Sequence, residues 1–179
     1  MKLIVVNRRQ CWLSDCKLYR WKLELEISSN PKELIFIGLN PSLSDNKFTD
    51  NTTKKIIKIS SFNSYGKLKI INLFALITKN PNNLKTCKDP VGTDNNQFIK
   101  SSLRYWSENI DCDLLLGWGN KGKLFSRNEY VLQILCKYKK LKQIKFLDSF
   151  APLIIRKTKY NHPIHPLYCL DNSKFTKYI

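Results

Sequence analysis

The chain has 179 residues and a formal net charge of +17 at pH 7; at this length one domain is expected, with roughly 70% of the unfolded surface buried and no need of disulfide or metal staples. No apolar stretch reaches the ~18 residues a membrane span requires, and the apolar start at residues 3–6 runs at once into Arg8-Arg9, which is too short for a signal peptide. The charge points to nucleic acid as partner; but only six of the 31 basic residues are arginine, the side chain whose planar fork best reads phosphates and bases, so the charge alone defines no contact.

In chain order, residues 19–27 alternate apolar and charged side chains (Trp21, Leu23, Leu25 and Ile27 against Arg20, Lys22, Glu24 and Glu26), the pattern of a half-exposed strand in an N-terminal strand or hairpin extension. Ser28-Ser29-Asn30-Pro31 breaks it. Leu34-Ile35-Phe36-Ile37 reads as a buried parallel strand that stops in the turn Gly38-Leu39-Asn40-Pro41-Ser42. Thr49, Asp50 and Asn51 offer caps for a helix carrying Ile56, Ile57, Ile59 and Phe62, which ends over residues 63–66. Residues 68–76 form a second core strand with one polar residue, Asn72. A polar loop then runs from Asn80 to Asp94, followed by a helix over 94–108.

Residues 113–117 predict a third buried strand ending in Trp118-Gly119. A helix over 121–138 follows, and the lysine run at 137–142 reads as solvated surface. Ile144-Lys145-Phe146-Leu147 is expected as a short fourth strand. Four strand–helix alternations predict an α/β fold. We expect a single domain over residues 1–179, a three-layer α/β/α sandwich around a central, mostly parallel four-stranded sheet with strands near 34–38, 68–74, 113–117 and 143–147.

The six cysteines are scattered without a C-x-x-C, and four lie in or beside apolar runs, so they read as buried reduced thiols of a cytoplasmic protein. Cys11, Cys16, His162 and His165 approach zinc-ligand spacing only loosely (C-x4-C, H-x2-H). We expect no metal, no cofactor, no membrane association and a monomer.

In open α/β sheets, ligands bind beyond the carboxyl ends of the strands. Asn40, Asn72 and Trp118-Gly119 stand at three such ends. The segment Asn161-His162-Pro163-Ile164-His165-Pro166-Leu167-Tyr168, which holds both histidines, follows the fourth. Each feature alone has a plain structural reading: Asn-Pro starts turns, a lone strand Asn satisfies backbone groups, Trp fills cores, and prolines stiffen loops. Their succession at strand ends lifts the functional one.

That order resembles the uracil-DNA glycosylase superfamily, on Gly38-Leu39-Asn40-Pro41, Asn72, Trp118-Gly119 and His162-Pro163-Ile164-His165-Pro166-Leu167. The chain is also similar, over nearly its whole length, to a family of small bacterial and phage proteins with a domain of unknown function. There the matching segments are Leu39-Asn40-Pro41-Ser42, Asn72-Leu73-Phe74-Ala75-Leu76, Asp89-Pro90-Val91-Gly92, Trp118-Gly119 and the histidine segment. The first resemblance implies N-glycosidic hydrolysis on a flipped uracil or modified pyrimidine. Asn40 would position the attacking water, and His162 or His165 would donate to the departing base. Gly38, Pro41, Ser42, Asn72, Trp118 and Gly119 would surround the substrate, with Asn72 reading the base edge. Pro166 and Leu167 would enter the DNA as a wedge, and Lys157 and Lys159 would contact its phosphates. The loop has one residue more than His-Pro-x-Pro-Leu, which leaves both histidines as candidates. A non-catalytic nucleic-acid-binding module and an enzyme of small nucleotides are the alternatives.

Overall fold

A computed structural model describes residues 8–42, 50–146 and 150–178. The alternating segment forms β2 (Arg20–Glu26), which pairs antiparallel with β1 (Arg8–Leu13) as the expected hairpin-like extension. β3 (Glu33–Gly38) is buried along its length, as its unbroken apolar run requires. Asp50 caps α1 (Asn51–Phe62), its carboxylate accepting the Thr53 N–H at 2.8 Å, and the helix ends at Asn63. β4 (Lys67–Asn72) ends on Asn72. The polar loop holds one short helical turn, α2 (Asn83–Thr86), before α3 (Asn95–Glu108). β5 (Cys112–Leu116) follows, then a 3-10 segment (Asn120–Ser126) and the long α4 (Arg127–Phe146). Two-residue strands β6 (Leu153–Ile154) and β7 (Thr176–Lys177) complete the sheet.

The sheet has seven strands in the order β1-β2-β4-β3-β5-β6-β7. β4, β3, β5 and β6 are parallel; β1, β2 and β7 pair antiparallel at the flanks. Three of the four expected strands thus lie in the parallel centre of a larger, mixed sheet. Alternate residues of the central strands serve opposite faces. Leu34, Phe36, Leu68 and Ile70 pack with Ile56 and Ile57 of α1. Ile35, Ile37, Ile71 and Leu114 pack with Ile99, Leu103 and Trp106 of α3 and Val131 and Leu135 of α4.

Three expectations are corrected. The fourth strand at 143–147 is not a strand: Ile144, Lys145 and Phe146 are the last turn of α4, and Leu147 lies outside the described residues. A short apolar–polar–apolar run cannot distinguish a helix end from a strand, and the place beside β5 is taken by Leu153–Ile154. The lysine run is not wholly solvated, because Lys142 is fully buried. All six cysteines are free of disulfides, but only Cys112 is buried; Cys16 and Cys136 are exposed.

Candidate functional site

The register levels the strand ends. Gly38 lies opposite Asn72 and Ile37 opposite Leu116, so the segments after β3, β4 and β5 leave the sheet side by side. They are stitched together by backbone bonds: Leu73 N–H to Gly38 O at 3.0 Å, Gly117 N–H to Ile37 O at 2.9 Å, Thr78 N–H to Pro41 O at 3.0 Å. A Cβ at Gly38 would stand 2.7 Å from Asn72 Oδ1 and 3.0 Å from the Phe36 ring, so any larger residue there must displace those side chains. The histidine segment is drawn to the same edge by the Gly119 N–H, which donates to Pro163 O at 2.9 Å. Gly119 has φ +68°, a left-handed conformation that glycine adopts without penalty.

The result is a cleft of about 530 Å³ lined by Asn40, Ser42, Trp118, Gly119, His165 and Leu167 together with Thr78, Lys79, Lys121 and Tyr168. This volume suits a nucleotide-sized ligand. Beside it a slot of about 10 Å³ is lined by Asn40, Ser42, Asn72, Asp50 and Arg20, among others. Asn40 and Ser42 line both. Asn72 is therefore next to the cleft rather than on it. It is 4% exposed, and its Nδ2 has no hydrogen-bond partner among the described residues. Trp118 is buried, and its Nε1 likewise has no partner among them.

Asn40 has one defined orientation. Its Nδ2 donates to Pro41 O and to Thr78 O, both at 2.9 Å, so Oδ1 is the atom left for a ligand or water. An aspartate here would set a carboxylate against two carbonyl oxygens. We expect Asn40→Asp to lower stability by roughly 1–3 kcal/mol, the usual effect of leaving buried polar groups unmatched, read as a shift of the urea midpoint at constant slope. An unchanged midpoint would contradict the orientation.

His165 precedes a 3-10 turn (Pro166–Tyr168), and its Nδ1 accepts the Leu167 N–H at 3.3 Å. Burial lowers its pKa to about 4, against a smaller upward pull from Asp50. The ring is neutral at pH 7, and with Nδ1 as acceptor the proton sits on Nε2. His162 is held elsewhere. Its backbone N–H donates to Thr158 Oγ1 and its carbonyl accepts the Thr158 N–H at 2.8 Å, and it lines neither cleft nor slot.

Gly38 and Pro41 are buried and line neither cleft nor slot, and Pro166 is buried at the start of the 3-10 turn. Lys157 and Lys159 lie off the cleft, near the Tyr178 and Tyr160 rings. The lysines that do line it, Lys79 and Lys121, carry no signal in sequence that separates them from the others. Arg20 was expected on the solvent side of β2, yet it is buried, and it borders the slot. Asp50 was legible only as a cap.

What this edge defines is an α/β protein with a ligand-sized cleft presenting an oriented amide and a neutral imidazole. The chain belongs to the family described as "Protein of unknown function (DUF1643)", whose profile matches residues 20–167. None of the curated proteins compared with it matches. Among the described residues, no helix is long and apolar enough to cross a membrane, and no three His, Cys, Asp or Glu side chains gather as a metal site.

Proposed function

We propose that the protein hydrolyses the N-glycosidic bond of a flipped pyrimidine, uracil or a modified one, in nucleic acid, DNA before RNA. In this reading the fold is a uracil-DNA-glycosylase-like α/β/α sandwich, and the protein works as a cytoplasmic monomer. The observation that carries it is the pairing of Asn40 Oδ1 with neutral His165 on one cleft. Breaking the bond builds positive charge on the sugar and negative charge on the base. A neutral Nε2–H can strengthen its hydrogen bond to the base oxygen as that charge grows, without first giving up a proton. Asn40 Oδ1 accepts from the attacking water and so aims its oxygen at the sugar. Trp118 and Ser42 wall the base site, and exposed Leu167 and Tyr168 stand at the mouth, where apolar side chains can fill the gap a flipped base leaves.

The test is release of base from labelled oligonucleotides carrying uracil, modified uracils or mismatched thymine, read as strand cleavage at the abasic site. Release from none of them, with binding retained, would move the reading to a nucleic-acid-binding module. Binding should weaken steeply with salt. Replacing both Lys79 and Lys121 by glutamine should reduce the slope of log K against log[salt] by about 2, since each lost phosphate contact removes about one. A flat salt response in the unaltered protein would favour a small nucleotide as substrate.

A further inference from the structure

Asn40 cannot take a proton, and its amide nitrogen is committed to two carbonyls. Hydrolysis by water still has to put a proton somewhere. Among the described residues that line the cleft or the slot, Asp50 is the one carboxylate. It borders the slot together with Asn40 and with the buried, unpartnered Nδ2 of Asn72. About 10 Å³ is room for one water. A water there would have an acceptor in Asn40 Oδ1, a donor in Asn72 Nδ2 and a carboxylate in Asp50.

We propose that Asp50 is the general base of the reaction, taking the proton of a water held in the slot between Asn40 and Asn72; this rests on the N-glycosidic reading above. The water oxygen bonds to the sugar C1′ as the C1′–N bond breaks, its electron pair leaving with the base. The proton the water loses passes to a carboxylate oxygen of Asp50, while the base anion takes the His165 Nε2–H hydrogen bond. Solvent protonates the released base, and Asp50 returns its proton to solvent. Among the described residues, Arg20 of β2 and His165 of the histidine segment are charged or titratable groups that face Asp50.

Asp50 also caps α1, and the test separates the two roles. Asparagine caps a helix about as well as aspartate, so Asp50→Asn should leave the oligonucleotide Kd near that of the unaltered protein, while the melting temperature falls because buried Arg20 loses the carboxylate that faces it. Single-turnover base release should fall at least 100-fold. Asp50→Ser, which keeps a capping oxygen, should do the same and serves if the asparagine variant does not fold. Release by the unaltered protein that is undiminished in both variants overturns the role of Asp50 and leaves the glycosylase reading standing. No release by the unaltered protein on any substrate overturns both.

Discussion

Replacing His165 by alanine is expected to slow base release about 10²–10³-fold, the usual cost of one lost oxyanion donor, while His162→Ala releases base at close to the unaltered rate. The asymmetry follows from position: His165 lines the cleft and His162 does not. Nδ1 holds the Leu167 N–H, so the ring can present only Nε2–H to a ligand. Single-turnover rates with saturating enzyme read the effect on chemistry, and equal losses in the two variants would contradict the assignment. His165 also gives the fold a pH signature. Its folded pKa, about 4, lies below the ordinary value near 6.5. The unfolded chain therefore binds the proton first, and stability is lost as pH falls from about 6.5 toward 4. His165→Ala should flatten that part of the stability profile in urea titrations between pH 7 and 4.5.

The largest stability effect is expected at Lys142. Its ammonium is buried and donates to the carbonyls of Trp106 and Cys112, both at 2.9 Å, and of Asn109. All three N–H donors are used, and they satisfy carbonyls at the end of α3 and in the turn into β5, groups that a helix C-terminus leaves without partners. The Phe150 and Trp106 rings stand over the charge at 4.6 and 5.2 Å. Lys142→Met keeps most of the stem but strands three carbonyls. A loss of about 3–5 kcal/mol follows, since each buried carbonyl left without a donor costs about 1–3 kcal/mol and the desolvation of the ammonium, no longer incurred, offsets part of the total; this is a fall of about 10 °C in melting temperature for a domain of this size. Lys142→Arg should not restore it, because a planar fork cannot point at three carbonyls arranged around a compact ammonium. A shift under 2 °C in Lys142→Met would show that the three bonds carry little net stability.

The pair Lys142 and Arg20 also marks where a residue-by-residue reading stops. In sequence both look like solvated charges, one in a lysine run and one at the charged phase of an alternating strand. Each is buried because distant segments close over it: α3 and β5 over the first, the start of α1 and the turn after β3 beside the second. No local period carries that information. The missing fourth strand has the same cause. Two residues, Leu153–Ile154, are too few for a periodic signal, and only pairing with β5 and β7 makes them a strand.

Legible in the residues alone were three of the four central parallel strands, the capped α1, the bounds of α3 and the turns at Asn40 and Gly119. These rest on local chemistry: unbroken apolar runs, an aspartate one residue before a helix, and glycine or proline where the chain must turn. The sequence also brought Asn40, Trp118 and the histidine segment to one edge, because parallel strands end on the same side. Which histidine enters the cleft, which lysines border it, and the meeting of Asp50 and Arg20 with Asn72 at the slot follow from the folded chain. Those choices depend on backbone bonds between segments tens of residues apart, such as Gly119 to Pro163, and on burial that no stretch of the chain specifies alone.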